Sequence, residues 1–232
     1  MNIALIPARG GSQRIPRKNV KSFCGRPMIA WSIERALESG LFAQVLVSTD
    51  DEEIAAVAEA SGASAPFRRP AELADHHTPT RPVVIHALDW LHQAGVDCAA
   101  LCCLYATAPF VTTEDLRTGA ALIDDVTVSY AFAATDFGFP VQRGFTLEPD
   151  GSPRMLQPAH AQTRSQDLPA VYHDAGQFYW ARPATWRQDG AIFGPAARPV
   201  LLPRHRVQDI DTPDDWLRAE GLMRLRLEDA GH

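Results

Sequence analysis

The sequence predicts a three-layer α/β fold, in which a mostly parallel β-sheet is covered by helices on both faces. The first half of the chain alternates short β-rich runs with helical patterns, and repeats of this kind form parallel sheets. The run at residues 98–105, CAALCCLY, is continuously apolar, as strands are when both faces of a sheet are covered. The chain has 232 residues, and we expect residues 1–232 to form a single domain.

The predicted elements of the first half follow one another without long gaps. They are, in order, a strand at 3–6, a helix at 27–40, a strand at 45–48, a short helix before Gly62, a helix at about 83–94, a strand at 98–105, a helix through Leu116 and Ile123, and a strand near 126–133. Pro27 and Gly40 suit the first position and the stop of the first helix. Ligand sites of parallel sheets lie beyond the carboxyl ends of the strands, so chemistry is expected directly after Ile6, Ser48 and Leu104.

The alternation stops between residues 136 and 168, a stretch rich in Pro, Gly and Gln. Two short runs, 145–147 and 154–156, flank the turn sequence EPDG, which predicts a protruding hairpin. This insertion is either a surface excursion or a dimerisation arm, and we expect the arm. Strands are expected again at the sequences GQFYW, VLLP and VQDI. A C-terminal helix should begin at Thr212 and Pro213, two residue types that favour helix starts.

Composition and charge exclude several classes of function. Asp and Glu outnumber Lys and Arg by 28 to 22, and the net charge of -6 argues against a nucleic-acid partner, although a local basic cluster could still hold a small anion. No stretch has the length of a membrane span, and the first residues lack the features of a signal peptide. We therefore expect a cytoplasmic protein without nucleic-acid or membrane partners. Three of its four cysteines lie in the 98–105 run and are interpreted as buried apolar residues.

A basic loop containing two glycines follows the first predicted strand. Residues 7–19 read PARGGSQRIPRKN, and Gly10 and Gly11 let the backbone turn sharply and approach a ligand closely. Backbone N–H groups of such a loop can form an anion nest, and its cations match the triphosphate of a nucleotide: Arg9, Arg14, Arg17 and Lys18. The loop lacks the GxxxxGK[ST] and GxGxxG patterns, so it is neither a Walker loop nor a dinucleotide fingerprint. The alternative is a solvated basic loop.

A pair of acidic residues precedes the C-terminal helix in the sequence QDIDT at 208–212. If VQDI is a strand, Asp209 and Asp211 point to the same side of it. Two carboxylates on one face suit Mg²⁺, a hard cation that prefers oxygen ligands and bridges to substrate phosphates. Both residues could equally be surface or helix-capping acids, and the spacing leaves the two interpretations open. The adjacent histidines His76 and His77 are interpreted as part of a polar loop, because neighbouring residues rarely chelate one ion.

Motifs in order along the chain resemble those of a known family. The opening PARGGSQRIPRKN, the strand end at 48–50 (STD), residues 69–74 (RPAELA) and the late DIDT resemble the CMP-sialic acid synthetase (acylneuraminate cytidylyltransferase) family. Residues 105–110 (YATAPF), 139–143 (FPVQR), 164–168 (RSQDL), 172–180 (YHDAGQFYW) and 206–212 (RVQDIDT) look like its pseudaminic acid cytidylyltransferase branch. The resemblance covers essentially the whole chain and implies a Rossmann-like nucleotidyltransferase fold.

This resemblance implies an activity and a set of partners. The activity is transfer of CMP from CTP to the anomeric hydroxyl of an acidic nine-carbon sugar, a nonulosonic acid, with release of pyrophosphate. Pseudaminic acid is the favoured sugar, and the CMP-activated product would serve surface glycan or flagellin glycosylation. Mg²⁺ is the implied cofactor, and the implied assembly is a homodimer.

Roles for single residues also follow from the resemblance, position by position. The nucleotide would contact Ala8, Arg9, Gly10, Gly11, Ser12, Gln13, Lys18, Asn19 and Arg69. The sugar would contact Tyr105, Arg164, Gln166, Phe178 and Tyr179. The catalytic set would be Arg9 and Lys18, which offset phosphate charge, together with the metal-binding carboxylates of Asp209 and Asp211.

Two departures from the family pattern bear on activity and substrate. Gln13 stands where many members have lysine, so either Arg14 compensates or the affinity for CTP drops. Residues 105–111 read YATAPFV where the sialic acid branch typically reads QPTSPLR, which favours a sugar with a more apolar outer surface. The alternatives are another acidic sugar (N-acetylneuraminic acid, legionaminic acid or Kdo), a glycosyltransferase-like relative, and a catalytically weak nucleotide-binding regulator.

Overall fold

A six-stranded sheet organises the chain, whose computed structural model describes residues 1–75 and 77–230. The strands within these residues are β1 (Asn2–Pro7), β2 (Ser22–Phe23), β3 (Arg26–Pro27), β4 (Gln44–Ser48), β5 (Ala100–Leu104), β6 (Tyr130–Asp136), β7 (Phe145–Leu147), β8 (Pro153–Met155), β9 (Tyr172–Ala181) and β10 (Arg198–Leu201). The α-helices are α1 (Met28–Ser39), α2 (Glu52–Ala60), α3 (Thr80–Gln93), α4 (Thr113–Asp124), α5 (Pro183–Arg187) and α6 (Pro213–Ala230).

The large sheet is mostly parallel, with the strand order β10-β6-β9-β5-β1-β4. β1 pairs in parallel with β4 on one side and with β5 on the other, and β10 pairs in parallel with β6. β9 is antiparallel to both of its neighbours, β5 and β6. The other five strands therefore run in one direction, and their carboxyl ends lie at one edge of the sheet.

Helices cover both faces of this sheet. Ile6 of β1 packs with Ile33 of α1 on one face, whereas its neighbour Leu5 packs with Leu88 of α3 and Trp186 of α5 on the other. All five residues of β5 are buried, which confirms the strand expected from its continuous apolar run. Burying one such large apolar side chain contributes about 1.5–3 kcal/mol, so the two clusters stabilise the sheet together with its covering helices. The predicted three-layer α/β fold is confirmed.

A third apolar cluster joins α6 to the segment after β1. Its core includes Ile15, Phe23, Trp31, Ile210 and Trp216. The rings of Phe23 and Trp216 meet edge to face with centroids 5.3 Å apart, and the Trp31 indole N–H donates to the Phe23 carbonyl at 3.0 Å. This packing holds residue 210, near the end of the chain, beside the basic loop near its beginning.

Most predicted elements are present, with shifted boundaries. α1 begins at Met28, and after Ser39 it is capped by Gly40, which has the left-handed conformation with φ 67° that favours glycine. β6 begins at Tyr130 instead of near 126, because the Val128 N–H bonds to the Asp125 carbonyl at 3.0 Å in a turn. The hairpin of the insertion is confirmed as β7 and β8, which pair antiparallel.

The strand predicted at 207–210 is wrong. Residues 207–212, called here the carboxylate loop, are an irregular segment that pairs with no strand of the described chain. The Gln177 side chain donates to the Arg206 carbonyl at 2.6 Å, and the Lys18 ammonium donates to the Ile210 carbonyl at 2.8 Å. Side chains of distant elements thus take the backbone hydrogen bonds that a neighbouring strand would otherwise make.

The start of α6 agrees with its sequence. The Thr212 N–H donates to the Asp215 carboxylate at 2.8 Å, and the Asp215 N–H donates to the Thr212 hydroxyl at 3.2 Å, as in a capping box. The four cysteines are unpaired, and Cys102 and Cys103 are buried in β5 as expected. None of the helices within the described residues is both long and apolar enough to cross a bilayer.

Candidate active site

A cavity of about 340 Å³ opens at the carboxyl edge of the sheet. It lies beyond the end of β1 and beside the residues that follow β5, where the topology predicts a ligand site. Its walls are formed by Pro7, Arg9, Ser12, Gln13, Arg14, Ile15, Lys18, Asn19, Arg69, Leu73, Asp75, Thr78, Thr80, Val83, Tyr105, Ala106, Thr107 and Asp211. Most of the residues predicted to hold the nucleotide are therefore gathered around one space.

The start of the basic loop is fixed against the end of β4. The Ala8 N–H donates to the Ser48 carbonyl at 2.9 Å, and the Gly10 N–H donates to the Asp50 carboxylate at 3.0 Å. A Cβ atom on Gly10 would stand 2.7 Å from Oδ2 of Asp51, closer than real contacts allow. Glycine is thus needed here for close packing against the next strand end.

The rest of the loop is held by its own polar groups. The Asn19 side-chain amide donates to the Arg9 carbonyl at 3.0 Å, and a guanidinium N–H of Arg9 donates to the Asp75 carbonyl at 2.6 Å. Ser12 and Gln13 complete this wall of the cavity. These two hydrogen bonds give the side chains of Arg9 and Asn19 defined positions at the wall of the cavity.

Arg17 does not line the cavity, although it was predicted from the sequence to be one of the loop cations that face a triphosphate. It adopts φ 55° and forms ion pairs with Asp51 and Glu53. Its bonds to the Asp51 carboxylate lower the pKa of that group to about 2. Asp51 also accepts from the Ile54 N–H as the N-cap of α2. Arg17 therefore anchors the loop to α2.

Arg69 brings a buried positive charge to the wall of the cavity. Only 7% of the residue is exposed, and its guanidinium donates to the Ser48 hydroxyl at 3.1 Å and to the Ser48 carbonyl at 2.5 Å. Burial lowers its pKa to about 10, so the group is still charged at neutral pH. The charge of Asp50 favours the charged form of Arg69, but none of the ion pairs among the described residues includes it. The guanidinium is therefore available to an anionic ligand at the cavity wall.

The two acidic residues of the carboxylate loop have different surroundings. Asp211 accepts from Arg14 at 2.6 Å and from the Lys18 ammonium at 3.1 Å, and it lines the cavity. Asp209 lies outside the lining, and partial desolvation, followed by the neighbouring charge of Asp211, raises its pKa. The charges of Lys18 and Arg14 act in the opposite direction, so a cation near this pair favours the ionised form of Asp209.

This pair fits a magnesium ion of the substrate-bridging kind. Residues 1–75 and 77–230 contain no group of three or more acidic, His or Cys side chains that could hold a metal alone. Mg²⁺, however, is often bound through one or two carboxylates together with substrate phosphates. Asp209 and Asp211 offer hard oxygen ligands beside a cavity suited to an anion. His76 lies outside the described residues.

A tyrosine pair closes the opposite side of the cavity. The hydroxyl groups of Tyr105 and Thr80 are 2.8 Å apart, and the rings of Tyr105 and Tyr179 have centroids 5.6 Å apart. The Tyr179 hydroxyl donates to Asp174. Burial raises the pKa of both tyrosines, so they remain neutral donors. Tyr105 lines the cavity directly, and Tyr179 supports it from behind.

Three of the residues expected around the sugar lie away from this cavity. Phe178 is fully buried between the sheet and α4, where a Cβ on Gly119 would touch its ring at 3.1 Å. Its place in the core does not support the role of a pocket wall. Arg164 pairs with Asp167 at 2.7 Å within the insertion, and Gln166 lines a separate space of about 250 Å³ there.

Several residues that line the cavity were not predicted from the sequence. Thr80 and Asp75 reach the cavity through contacts with Tyr105 and Arg9, which are distant in sequence. No local pattern marks either of them. Thr107, in contrast, is the third residue after the β5 strand, so its closeness to the sheet edge was a usable signal.

Comparison with known proteins agrees with this geometry. A sequence model described as cytidylyltransferase matches residues 3–142. A pseudaminic acid cytidylyltransferase of Campylobacter jejuni is 42% identical over 229 residues, which cover 99% of each chain. A CMP-N,N'-diacetyllegionaminic acid synthase of Legionella pneumophila is 31% identical over 97% of each chain.

Solved structures support the same fold. CMP:2-keto-3-deoxy-manno-octonic acid synthetase, solved in complex with CTP, superposes with a TM-score of 0.70 at 19% identity and covers 97% of this chain and 100% of its own. A 4-diphosphocytidyl-2C-methyl-D-erythritol synthase from Anaerococcus prevotii reaches a TM-score of 0.65 at 11% identity, over 96% of this chain and 95% of its own. The match to the family over more than half of the chain, with full-length relatives that share it, means that this chain belongs to the cytidylyltransferases and is a nucleotidyltransferase enzyme.

Proposed function

We propose that the enzyme transfers CMP from CTP to the anomeric hydroxyl of pseudaminic acid and releases pyrophosphate. The observation that carries this proposal is a cationic cavity at the sheet edge of an acidic protein, with Arg9, Lys18 and Arg69 in its walls. The choice of sugar rests on the full-length Campylobacter relative. A CMP-activated sugar of this kind would supply glycosylation of surface glycans or flagellin.

The nucleotide is assigned to the part of the cavity next to the basic loop. Arg9 and Lys18 would offset charge on the triphosphate and on the leaving pyrophosphate. Asn19 would face the ribose, and Arg69 the cytosine or ribose. The other assigned contacts are the loop residues Ala8, Gly10, Gly11, Ser12 and Gln13. The Gly10 N–H is already bonded to Asp50, so it contributes here by shaping the loop.

The carboxylate loop is assigned to magnesium. Asp209 and Asp211 would hold the ion, which supplies charge neutralisation for phosphate oxygens when it is bound. Without it, Asp211 is neutralised by Arg14 and Lys18. Arg14 is largely exposed on the cavity wall. When Asp211 binds magnesium, Arg14 would exchange this carboxylate for a phosphate group of CTP. Its positive charge would then compensate for the neutral side chain of Gln13.

The reaction proposed is a single displacement at phosphorus. A bond forms between the anomeric oxygen and the α-phosphorus as the bond from that phosphorus to the bridging oxygen of pyrophosphate breaks. The hydroxyl proton leaves to solvent or to pyrophosphate. Positioning and charge neutralisation are the main requirements of such a transfer, and the fixed side chains of Arg9 and Lys18 meet both.

The sugar is assigned to the side of the cavity walled by Tyr105, with Tyr179 behind it. Arg164 and Gln166 lie on the insertion, and we propose that they act on the sugar across a homodimer interface. Large apolar side chains are exposed on this insertion, including Phe139, Phe145 and Leu147. An exposed apolar patch of this kind is typical of an interface. Free cysteines suit a reducing compartment, and we place the reaction in the cytoplasm.

The test is pyrophosphate release from CTP and Mg²⁺ with pseudaminic acid, run beside N-acetylneuraminic acid, legionaminic acid and Kdo. We expect release with pseudaminic acid and little with the others. Release with a different acid would keep the chemistry and change the substrate; the 31% identical Legionella relative makes legionaminic acid the first alternative. If folded protein that binds CTP released no pyrophosphate with any of the four acids, the result would favour a nucleotide-binding regulator.

A further inference from the structure

The carboxylate loop needs an explanation for its shape, because no strand pairing holds it within the described chain. Its C-terminal end is well fixed. Ile210 is buried in the cluster under α6, and the Lys18 ammonium donates to the Ile210 carbonyl at 2.8 Å. The Asp215 carboxylate accepts from the Thr212 N–H at 2.8 Å. These contacts settle the position of Asp211, but they lie after Asp209.

At the N-terminal end, the loop is held by the amide of Gln177. This side chain lies on β9, is 3% exposed, and donates from Nε2 to the Arg206 carbonyl at 2.6 Å. Its Oε1 atom is buried and has no hydrogen-bond partner among the described residues. A buried amide oxygen without a partner lowers stability, so the hydrogen bond from Nε2 to the Arg206 carbonyl is the contact that the amide contributes at this position.

Arg206 itself is held a second time, through its side chain. Its guanidinium forms a bidentate ion pair with the Asp115 carboxylate of α4. Both terminal nitrogens donate, one of them to Oδ1 at 3.0 Å. The side chains are 18% and 8% exposed, so water screens this pair little. The planar fork makes such a pair rigid. Arg206 is therefore fixed to the sheet by its carbonyl and to α4 by its side chain.

We propose that Gln177 and Arg206 are positioning residues, which set Asp209 beside Asp211 so that the two carboxylates bind Mg²⁺ together with the CTP phosphates. This inference rests on the function proposed for the carboxylate loop. Asp209 follows Arg206 by three residues and directly precedes Ile210, whose carbonyl accepts from Lys18. An anchor before Asp209, matched to the one after it, limits how far the Asp209 carboxylate can move relative to that of Asp211.

Gln177 also connects this anchor to the other side of the cavity. The Tyr105 N–H donates to the Gln177 carbonyl at 2.8 Å. The main chain of one residue thus holds the tyrosine wall, and its side chain holds the start of the carboxylate loop. One residue of β9 therefore contacts both the sugar side of the cavity and the start of the carboxylate loop.

The experiment measures CTP binding by calorimetry with and without Mg²⁺, and with no sugar present, so that no turnover occurs. In the wild-type chain Mg²⁺ should strengthen CTP binding. Gln177→Met and Arg206→Met should each lose about tenfold or more of that Mg²⁺-dependent gain, with metal-free CTP affinity unchanged. Arg206→Lys keeps the charge without the fork and should lose part of the gain, which also covers the case that Arg206→Met does not fold.

Two matched controls separate positioning from general damage. Arg204→Met removes an arginine from the same short helical turn, where it pairs with Asp136 at the surface. Gln142→Met removes another buried amide, which donates to the Pro169 carbonyl at 2.9 Å. Both controls should keep the full Mg²⁺-dependent gain.

Each remaining outcome would count against the inference. A full gain in folded Gln177→Met and Arg206→Lys would overturn the positioning role while leaving the proposed function intact. An equal loss in the two controls would assign the effect to general destabilisation. If the CTP affinity of the wild-type chain were the same with and without Mg²⁺, the metal assignment itself would be overturned, and the positioning role with it.

Discussion

At the scale of single residues, the buried guanidinium of Arg69 is the feature most directly tied to nucleotide binding. It remains charged at neutral pH although burial lowers its pKa to about 10, and within the described residues its only hydrogen bonds go to the hydroxyl and carbonyl of Ser48. We predict that Arg69→Met weakens CTP binding by about ten- to hundredfold, the equivalent of about 1.5–3 kcal/mol for a charged hydrogen bond. Calorimetric titration with CTP measures this.

The adjacent Arg68 provides the control for that substitution. It pairs with Glu52 at the surface, away from the cavity, so Arg68→Met should leave CTP affinity unchanged. Equal affinities for wild type and Arg69→Met would remove Arg69 from the nucleotide site.

Gly10 contributes through the absence of a side chain. A Cβ atom there would stand 2.7 Å from Oδ2 of Asp51, so the loop of Gly10→Ala must move. We predict that this variant raises the KM for CTP about tenfold or more, because Arg9 moves with the loop. The matched control is Gly190→Ala, where no atom lies within 4 Å of the added Cβ. Equal KM values for the two variants would contradict the prediction.

At the scale of elements, an ion pair fastens the basic loop to α2. The pKa of Asp51 falls from its usual value of 3.8 to about 2 because of its bonds to Arg17. A depressed carboxyl pKa adds stability that is complete above the ordinary pKa and is lost as the pH falls through the folded value. The pair should therefore stabilise the fold at neutral pH and stop doing so between pH 4 and pH 2.

Asp51→Asn tests this linkage, because asparagine preserves the cap of α2. We predict that the variant loses about 1 kcal/mol of unfolding free energy at pH 7, a value kept small because both side chains are partly exposed. The difference from wild type should persist down to about pH 4 and close below it, as followed by urea unfolding at several pH values. A difference independent of pH would rule out the ion pair as its cause.

The β7–β8 hairpin is the element assigned to dimerisation. Phe145 and Leu147 are 59% and 68% exposed, so replacing both by serine removes apolar surface without opening a cavity in the core. We predict that this double variant becomes a monomer in light scattering and loses sugar-dependent turnover while it still binds CTP. The control is Val126→Ser, at an exposed apolar residue outside the insertion. A wild-type monomer, or an unaltered dimer in the variant, would contradict the assignment.

At the scale of the whole molecule, charge is distributed unevenly. The chain carries a net charge of -6, yet the cavity is lined by four Lys and Arg side chains and only two acidic ones. We predict that CTP affinity falls several-fold between about 20 mM and about 300 mM NaCl, because salt screens the three of these cations that are not buried, Arg9, Arg14 and Lys18. Binding of uncharged cytidine should change little. An insensitive CTP affinity would mean that the triphosphate does not contact these cations.

The sequence by itself determined the layered α/β class, the position of the basic loop and the edge of the sheet where the cavity opens. These follow from local signals: apolar runs mark the buried strands β1 and β5, Gly40 marks a helix end, and glycines with cations mark the loop. The capping residues Thr212 and Asp215 likewise act over a few positions. Features that depend on near neighbours in sequence were therefore predictable.

Only the tertiary structure decided how distant segments meet. The antiparallel course of β9 is not encoded in its apolar run at 178–181, which is equally apolar in either direction. The same run could not tell that Phe178 packs beside Gly119 of α4, whereas Tyr179 packs behind Tyr105 of the cavity wall. Residues 207–210 have the composition of a strand, but they pair with no strand of the described chain. Instead, Lys18 donates a hydrogen bond to the Ile210 carbonyl, and Gln177 donates one to the adjacent Arg206 carbonyl. The physical reason is that burial is readable from local periodicity, whereas strand pairing, ion pairs and cavity walls depend on contacts between residues far apart in the chain.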